Sequence, residues 1–197
     1  MDRSLRFAQL ADSYLEHIRI AVEADDRGAP FRDFIDNWAA FSADADHHRS
    51  RGGRVVWFNN PDAIARRTML LSLPFRSAGA EAILQLALER AGKYRELRTS
   101  KHQSVKLVVD HTVPLAVIVE KLFKERTGRC RERISEHLTR FYSLGLLTGA
   151  EDAKLSSLGL RSSMPDNWDG NEQTALYRAA GIFCSDPATA PYLRLGP

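Results

Sequence analysis

Residues 104–115 read SVKLVVDHTVPL, a dense apolar run that ends in two side chains able to do chemistry, Asp110 and His111. The β-branched residues of 105–109 favour a strand. Pro114 suits the first turn of a helix, and apolar residues then recur at helical spacing as far as Phe123. The stretch therefore predicts a strand that leads through Asp110 and His111 into a helix.

Helical periodicity dominates the chain on both sides of this stretch. Apolar residues spaced by three and four predict helices over 5–24, 31–41, 61–73, 77–97, 114–127, 130–144, 148–158 and 172–180. Ser77 is the predicted N-cap of its helix, and Thr148 with Glu151 has the form of a capping box. The pattern predicts a mainly α protein of about seven helices with one or two short strands, at 54–58 and 105–109. We expect a single domain over 1–197, which could divide into a helical part (1–100) and a motif-bearing part (101–197).

Size and composition are those of an ordinary globular protein. The chain has 197 residues, of which 44% are hydrophobic and 27% charged. It lacks the run of ~20 apolar residues that a membrane-spanning helix needs, and its first residues lack a signal peptide's apolar core. Cys130 and Cys184 lie far apart, so neither a disulfide framework nor a thiolate zinc site is indicated. These features predict a cytoplasmic protein that does not bind a membrane.

Positive charge is concentrated in the middle of the chain. The formal net charge is only +3, but residues 121–140 carry seven basic side chains against three acidic ones. These are the candidate contacts to nucleic-acid phosphates: Lys121, Lys124, Arg126, Arg129, Arg131, Arg133 and Arg140. A solvated helix face has the same composition, so both interpretations stay open.

Residues 110–115, DHTVPL, resemble the first histidine segment of the HNH (ββα-metal) endonucleases, which often reads Asp-His-x-x-Pro-Leu after an apolar strand. The resemblance implies that Asp110 binds a divalent metal, Mg²⁺ or Mn²⁺, and that His111 is the general base on the attacking water. His137 would be the second metal ligand. Such a metal stabilises charge on the phosphate, and a neutral imidazole accepts a proton near pH 7. The sequence departs from the family in having no Asn between the two histidines.

A structural role explains the same residues. Asp110 could cap the helix that begins near Pro114, while His111 bonds a nearby backbone carbonyl. A partly buried histidine on a helix is also an ordinary occupant of the His137 position.

Two further resemblances extend over the second half of the chain. The segment from Val109 to Gly181 looks like a set of uncharacterised bacterial proteins, in that it has an acid-His-x-Val-Pro element, a Thr-x-x-Glu-Asp helix start, Met-Pro and a Trp. Residues 138–147, LTRFYSLGLL, resemble the end of a winged-helix recognition helix, which implies a noncatalytic DNA-binding module over 114–161.

The aromatic helix near the N-terminus offers a third kind of function. Its stripe of Phe31, Phe34, Ile35, Trp38 and Phe41 is core or a docking face for a protein partner. The sequence thus predicts a protein directed at DNA or RNA, with a degenerate HNH-like metal-dependent phosphodiesterase as one version. A winged-helix-like DNA-binding module and a helical scaffold are the alternatives.

Overall fold

The structure, a computed structural model, describes residues 3–42, 73, 75–89, 106–124 and 130–185. These residues form seven helices and four short strands, so the protein is mainly α, as the helical periodicity predicted. The helices are α1 (Arg3–Glu23), α2 (Phe31–Ser42), α3 (Ala78–Glu89), α4 (Leu115–Lys124), α5 (Arg131–Phe141), α6 (Gly149–Ser157) and α7 (Ala175–Ala179). The strands are β1 (Phe75–Ser77), β2 (Leu107–His111), β3 (Leu144–Thr148) and β4 (Cys184–Ser185).

Two compact units share these elements, and each unit takes residues from several parts of the chain. The helical unit contains α1, α2, α4 and α5 together with residues 162–164. The sheet unit contains all four strands of the described residues with α3, α6 and α7. The single-domain organisation over 1–197 stays a prediction, as does its division at residue 100.

The helical unit is built on the packing of α1 against α2, with α5 also in contact with α1 and α4 with α5. The connection between α1 and α2 is a tight turn in which Asp25 has φ +50°, a left-handed conformation that Asp tolerates better than most residues. The core includes aliphatic side chains with no exposed surface: Ile18, Ile35, Ile118, Leu122, Ile134 and Leu138. Buried apolar residues recur three or four positions apart along these helices, as Leu15 and Ile18 do on α1, and this explains why the sequence pattern identified the helices.

A buried carboxylate in this unit has its partner on a different element. Asp36 on α2 is 1% exposed, and the Tyr142 hydroxyl donates a hydrogen bond of 3.0 Å to its Oδ1. Tyr142 is in an extended conformation directly after α5. The predicted helix over 130–144 therefore ends earlier, at Phe141.

The sheet unit is organised around β3, whose five residues are all buried. The strand order is β2-β3-β1-β4, with β3 antiparallel to β2 and parallel to β1, and β4 antiparallel to β1. β1 and β3 each lead directly into a helix, α3 and α6, and they do so at the same edge because parallel strands end together.

Three of these strands were not predicted from the sequence. One helix was predicted to end at residue 144 and the next to begin at residue 148, whereas residues 144–148 form the central strand β3. The predicted strand at 105–109 lies two residues later, at Leu107–His111, so Asp110 and His111 belong to the strand itself. The predicted strand at 54–58 and all but the last residue of the predicted helix at 61–73 lie outside the described residues.

Candidate functional site

Asp110 and His111 are the last two residues of β2, and they face opposite sides of the sheet because side chains alternate along a strand. Asp110 is paired with Gly145 on β3, and His111 is paired with Leu144. His111 is buried, with 5% of its surface exposed. The two side chains thus have different surroundings, although they are adjacent in sequence.

Asp110 has a specific partner in Tyr177 on α7. The Tyr177 hydroxyl donates a hydrogen bond of 3.2 Å to Oδ2 of Asp110. The tyrosine lies directly over Gly145, since a Cβ atom at that glycine would be 2.6 Å from the tyrosine oxygen. Gly145 therefore leaves the space in which a fully buried ring reaches across β3 to the carboxyl group on β2.

Burial raises the pKa values of three groups in this part of the sheet unit, Asp110, Tyr177 and Cys184. Burial raises the pKa of Asp110, while the neighbouring His111 and the Tyr177 hydrogen bond act in the opposite direction. Burial also raises the pKa of Tyr177 well above its ordinary value, and the nearby Asp110 carboxylate adds to the rise. The pKa of the Cys184 thiol is raised to about 11, first by burial and then by Glu151. The pKa values of Tyr177 and Cys184 are thus shifted away from the ionised forms that a nucleophile or metal ligand requires.

A second polar cluster is centred on Glu151. It lies where the N-termini of α3 and α6, the helices that follow β1 and β3, meet. Its Oε2 accepts hydrogen bonds from the Ser77 hydroxyl at 2.5 Å, from the Thr148 backbone N–H at 2.8 Å and from the Thr148 hydroxyl at 3.0 Å. The Thr148 hydroxyl in turn accepts from the Glu151 backbone N–H, which confirms the predicted capping box. The Ser77 hydroxyl accepts from the Ala80 backbone N–H and thereby caps α3, as predicted. One carboxylate thus ties together two helix N-termini, where negative charge is favourable.

His137 lies on α5 in the helical unit and is buried, with 6% of its surface exposed. Its Nε2 is 3.0 Å from the carbonyl oxygen of Ile118, a geometry in which Nε2–H donates to that oxygen. Its ring packs 4.8 Å from the ring of Phe141. The contacts are those of a histidine that joins α5 to α4.

The two metal ligands implied by the HNH resemblance, Asp110 and His137, each have a protein partner in the structure, and their surroundings do not favour metal binding. Asp110 accepts a hydrogen bond from Tyr177, burial raises the pKa of its carboxyl group, and Nε2 of His137 lies 3.0 Å from a backbone carbonyl oxygen. In the part of the chain that the structure describes, no three His, Cys, Asp or Glu side chains are grouped so that they could hold a metal ion. No reaction step is therefore derived through a metal at these residues.

The predicted phosphate-binding residues are divided between two helices of the helical unit. Lys121 and Lys124 lie on α4, and Arg131, Arg133 and Arg140 lie on α5. Arg126 and Arg129 lie outside the described residues.

Arg133 and Arg140, seven residues apart, share one side of α5, whereas Arg131 is two residues from Arg133 and lies on the opposite side. Arg131 is near enough to α1 to act on Glu16, whose pKa is lowered mainly by its hydrogen bond from Arg19 and further by the charge of Arg131. The arginines of α5 therefore do not form one continuous face.

Two cations converge on one aromatic ring at the surface between α4 and α5. The Lys121 Nζ lies 5.2 Å from the centre of the Phe141 ring, and the Arg140 Cζ lies 4.9 Å from it. Such contacts hold the two cations in place and keep them near each other.

A groove beside α4 contains both lysines and has a volume of about 640 Å³. We call it the lysine groove; it is lined by Ala116, Val117, Glu120, Lys121, Lys124, Ser162, Ser163 and Met164. The negative charge of Glu120 is balanced by two cations, because its carboxylate accepts a hydrogen bond of 2.9 Å from Arg27 and lies 3.3 Å from the Lys124 Nζ. These contacts lower the pKa of Glu120, the Arg27 hydrogen bond most and that of Lys124 next. The groove thus offers ammonium groups and hydroxyls beside a carboxylate that is already paired.

Two features of the structure concern the winged-helix-like module and the helical scaffold. In the segment 114–161, α5 is followed by a single strand, β3, and then by α6, so a helix stands where a winged-helix module has its second wing strand. On α2, Trp38 is 6% exposed and belongs to the core, so it does not form an exposed patch with Phe41.

Comparison of the chain with protein-family models, with curated proteins and with solved structures finds no match. Among the helices of the described residues, none has the length and apolarity that crossing a membrane requires.

Proposed function

We propose that this protein binds the phosphate backbone of a nucleic acid through the lysine groove of its helical unit. The observation that carries the proposal is the convergence of Lys121 and Lys124 with the side chains of Ser162 and Ser163 in one groove. Ammonium groups neutralise phosphates, and hydroxyl groups donate hydrogen bonds to phosphate oxygens.

Arg140 and Arg133 would extend this surface. Arg140 shares the Phe141 ring with Lys121, so its guanidinium lies close to the groove. Arg133 lies on the same side of α5 as Arg140. Four cations on one side of the unit are enough for measurable, salt-dependent binding without any base-specific contact.

Salt dependence tests the proposal directly. Binding of the purified protein to a fluorescent oligonucleotide would be followed by anisotropy at increasing NaCl. Four phosphate contacts predict a slope of log K against log [salt] of about −3 to −4 with a duplex. The double variant Lys121→Gln/Lys124→Gln should lower the magnitude of this slope by about 2, because each lysine accounts for about one unit.

Lys154→Gln is the matched control, since Lys154 is an exposed lysine on α6 in the sheet unit. It should leave the slope unchanged. Equal losses from the control and from the groove variant would contradict the proposal, and so would the absence of binding at low salt.

The same samples test the catalytic alternative implied by the HNH resemblance. Reactions with added Mg²⁺ or Mn²⁺ would be run on a gel beside metal-free ones. Shorter oligonucleotides that form with the wild-type protein but not with His111→Ala would show that the protein cleaves phosphodiester bonds as well as binding nucleic acid.

A further inference from the structure

Five aromatic side chains of α1 and α2 form a continuous row on the helical unit. Phe7 lies 5.4 Å from Phe41, and Phe41 is parallel to Tyr14 at 6.1 Å with an interplanar angle of 2°. Tyr14 lies 6.1 Å from His17, which stacks on Phe34 at 5.3 Å. We call this row the aromatic ladder; it extends over ten residues of α1, or about 15 Å.

The ladder is accessible, unlike the other aromatic side chains of the same helices. His17 is exposed, and the other four rings are half-buried. By contrast, Phe31 and Trp38 of α2 are 5% and 6% exposed and belong to the core. A row of rings that reaches solvent along its length provides faces and edges on which further planar groups can stack.

The ladder is joined to the lysine groove by a chain of contacts. Phe34 contacts Phe31, whose ring lies 5.6 Å from Phe123 on α4. The Arg27 guanidinium covers the Phe123 ring at 4.5 Å and also donates to Glu120 in the groove. The buried Phe31 ring thus connects the ladder to Phe123, which lies under the Arg27 guanidinium beside the groove, all within the helical unit.

We infer that the aromatic ladder stacks the bases of a single-stranded nucleic acid whose phosphates occupy the lysine groove. The inference rests on the proposed function and specifies its ligand. Bases in a duplex are already stacked and cannot lie on protein rings, whereas unpaired bases can do so irrespective of their sequence. A groove for phosphates and a row of accessible aromatic rings on the same unit are the two elements that single-strand-binding surfaces combine.

The charges next to the ladder are compatible with a polyanion. Arg19 pairs with both carboxylates of α1 that are near it, Glu16 and Glu23, each at 2.6 Å. Arg19 offsets one of the two negative charges, and Arg131 lies close enough to Glu16 to lower the pKa of its carboxyl group further, after the larger effect of Arg19.

Three oligonucleotides of equal length distinguish base stacking from phosphate binding. They are a single strand, the same strand with abasic sugars in place of its central nucleotides, and a duplex. We expect the wild-type protein to bind the intact single strand at least about tenfold more tightly than the abasic strand, because each stacked base contributes about this factor. The salt slopes of the two single strands should agree, since their phosphates are the same.

Variants assign the difference to the ladder. Tyr14→Leu and Phe41→Leu keep apolar volume but remove the flat rings, and each should weaken binding of the intact strand about tenfold while leaving abasic-strand binding unchanged. His17→Ala gives a second measurement on a residue so exposed that its loss does not disturb the core. Ile20→Ala is the matched control, as Ile20 is an exposed α1 side chain outside the ladder.

The outcomes separate this inference from the proposed function. Salt-dependent binding that is lost in Lys121→Gln/Lys124→Gln but is equal for intact and abasic strands would overturn the ladder and leave the groove in place. Binding that is weakened equally by Tyr14→Leu and by Ile20→Ala would also overturn it. Absence of binding to all three oligonucleotides would overturn the proposed function and the inference together, and would favour a protein partner for the ladder.

Discussion

Replacing Gly145 by alanine tests the arrangement of Asp110 and Tyr177. The new Cβ would lie 2.6 Å from the Tyr177 hydroxyl oxygen and 3.1 and 3.2 Å from two of its ring carbons. Three atoms of one rigid, fully buried ring would be too close, so the ring as a whole has to move. That movement breaks the hydrogen bond to Asp110.

The expected change in the free energy of unfolding follows from three contributions. Overpacking a core costs about 1–3 kcal/mol, and loss of a hydrogen bond costs about 0.5–1.5 kcal/mol. Alanine gains about 0.5–1 kcal/mol over glycine in a strand through its lower backbone entropy in the unfolded chain. The clash outweighs this gain, and we expect Gly145→Ala to lower the free energy of unfolding by about 1–3 kcal/mol.

Urea denaturation followed by circular dichroism would measure this change. Gly28→Ala is the matched control, because a Cβ there meets only Asp26 Oδ1, at 3.4 Å. In a Tyr177→Phe background the hydroxyl oxygen that makes the closest contact is absent. Gly145→Ala should therefore lower the free energy of unfolding by less than it does in the wild type. A Gly145→Ala variant as stable as the Gly28→Ala control, or costs that are strictly additive in the double variant, would refute the reasoning.

Two other predictions concern the sheet unit. Glu151→Ala should lower the free energy of unfolding more than Thr148→Ala does, because Glu151 also accepts the hydrogen bond from Ser77. Urea denaturation measures both losses, and equal losses would show that the hydrogen bond to Ser77 contributes nothing. Asp110 has a raised pKa when folded, so the stability that its protonated form contributes is fully present below its unfolded pKa of about 4 and is lost as the pH rises through the folded value. In the Asp110→Asn variant, the free energy of unfolding should therefore not show this decrease between pH 4 and 7. A pH profile that is the same as that of the wild type would show that Asp110 is not its cause.

The parts of the fold that depend on residues close together in the sequence could be predicted from the sequence. The capping box of Thr148 and the Ser77 cap each connect residues three apart, so the local pattern contains all their partners. The helices of the helical unit were predicted for the same reason, since their apolar side chains recur along each helix.

The central strand could not be predicted in this way. Residues 144–148 are buried on both faces, so they lack the alternation that marks a half-exposed strand, and Gly145 is also a common helix terminator. The strand exists because β2 and β1 pair with it on its two sides.

The candidate site shows the same limit. The partner of Asp110 is Tyr177, 67 residues further along the chain, and no local pattern connects the two. Gly145 was a visible signal, but its function as the space for a distant ring is apparent only when the register of β2 against β3 is known. The aromatic ladder likewise combines two helices, of which the sequence showed only one as an aromatic stripe.

The interleaving of the two units has a consequence for synthesis on the ribosome. The chain passes from one unit to the other at 72/73, 112/113, 143/144, 161/162 and 164/165, so a growing chain completes neither unit early. When residue 161 has been made, β1 has its partner β3 on one side, but its other edge is open because β4 is not yet present. Tyr177 is also missing, which leaves Asp110 without its donor. The nascent protein therefore displays an unpaired strand edge for the time needed to add about two dozen residues, and this interval is when we expect chaperones to bind it.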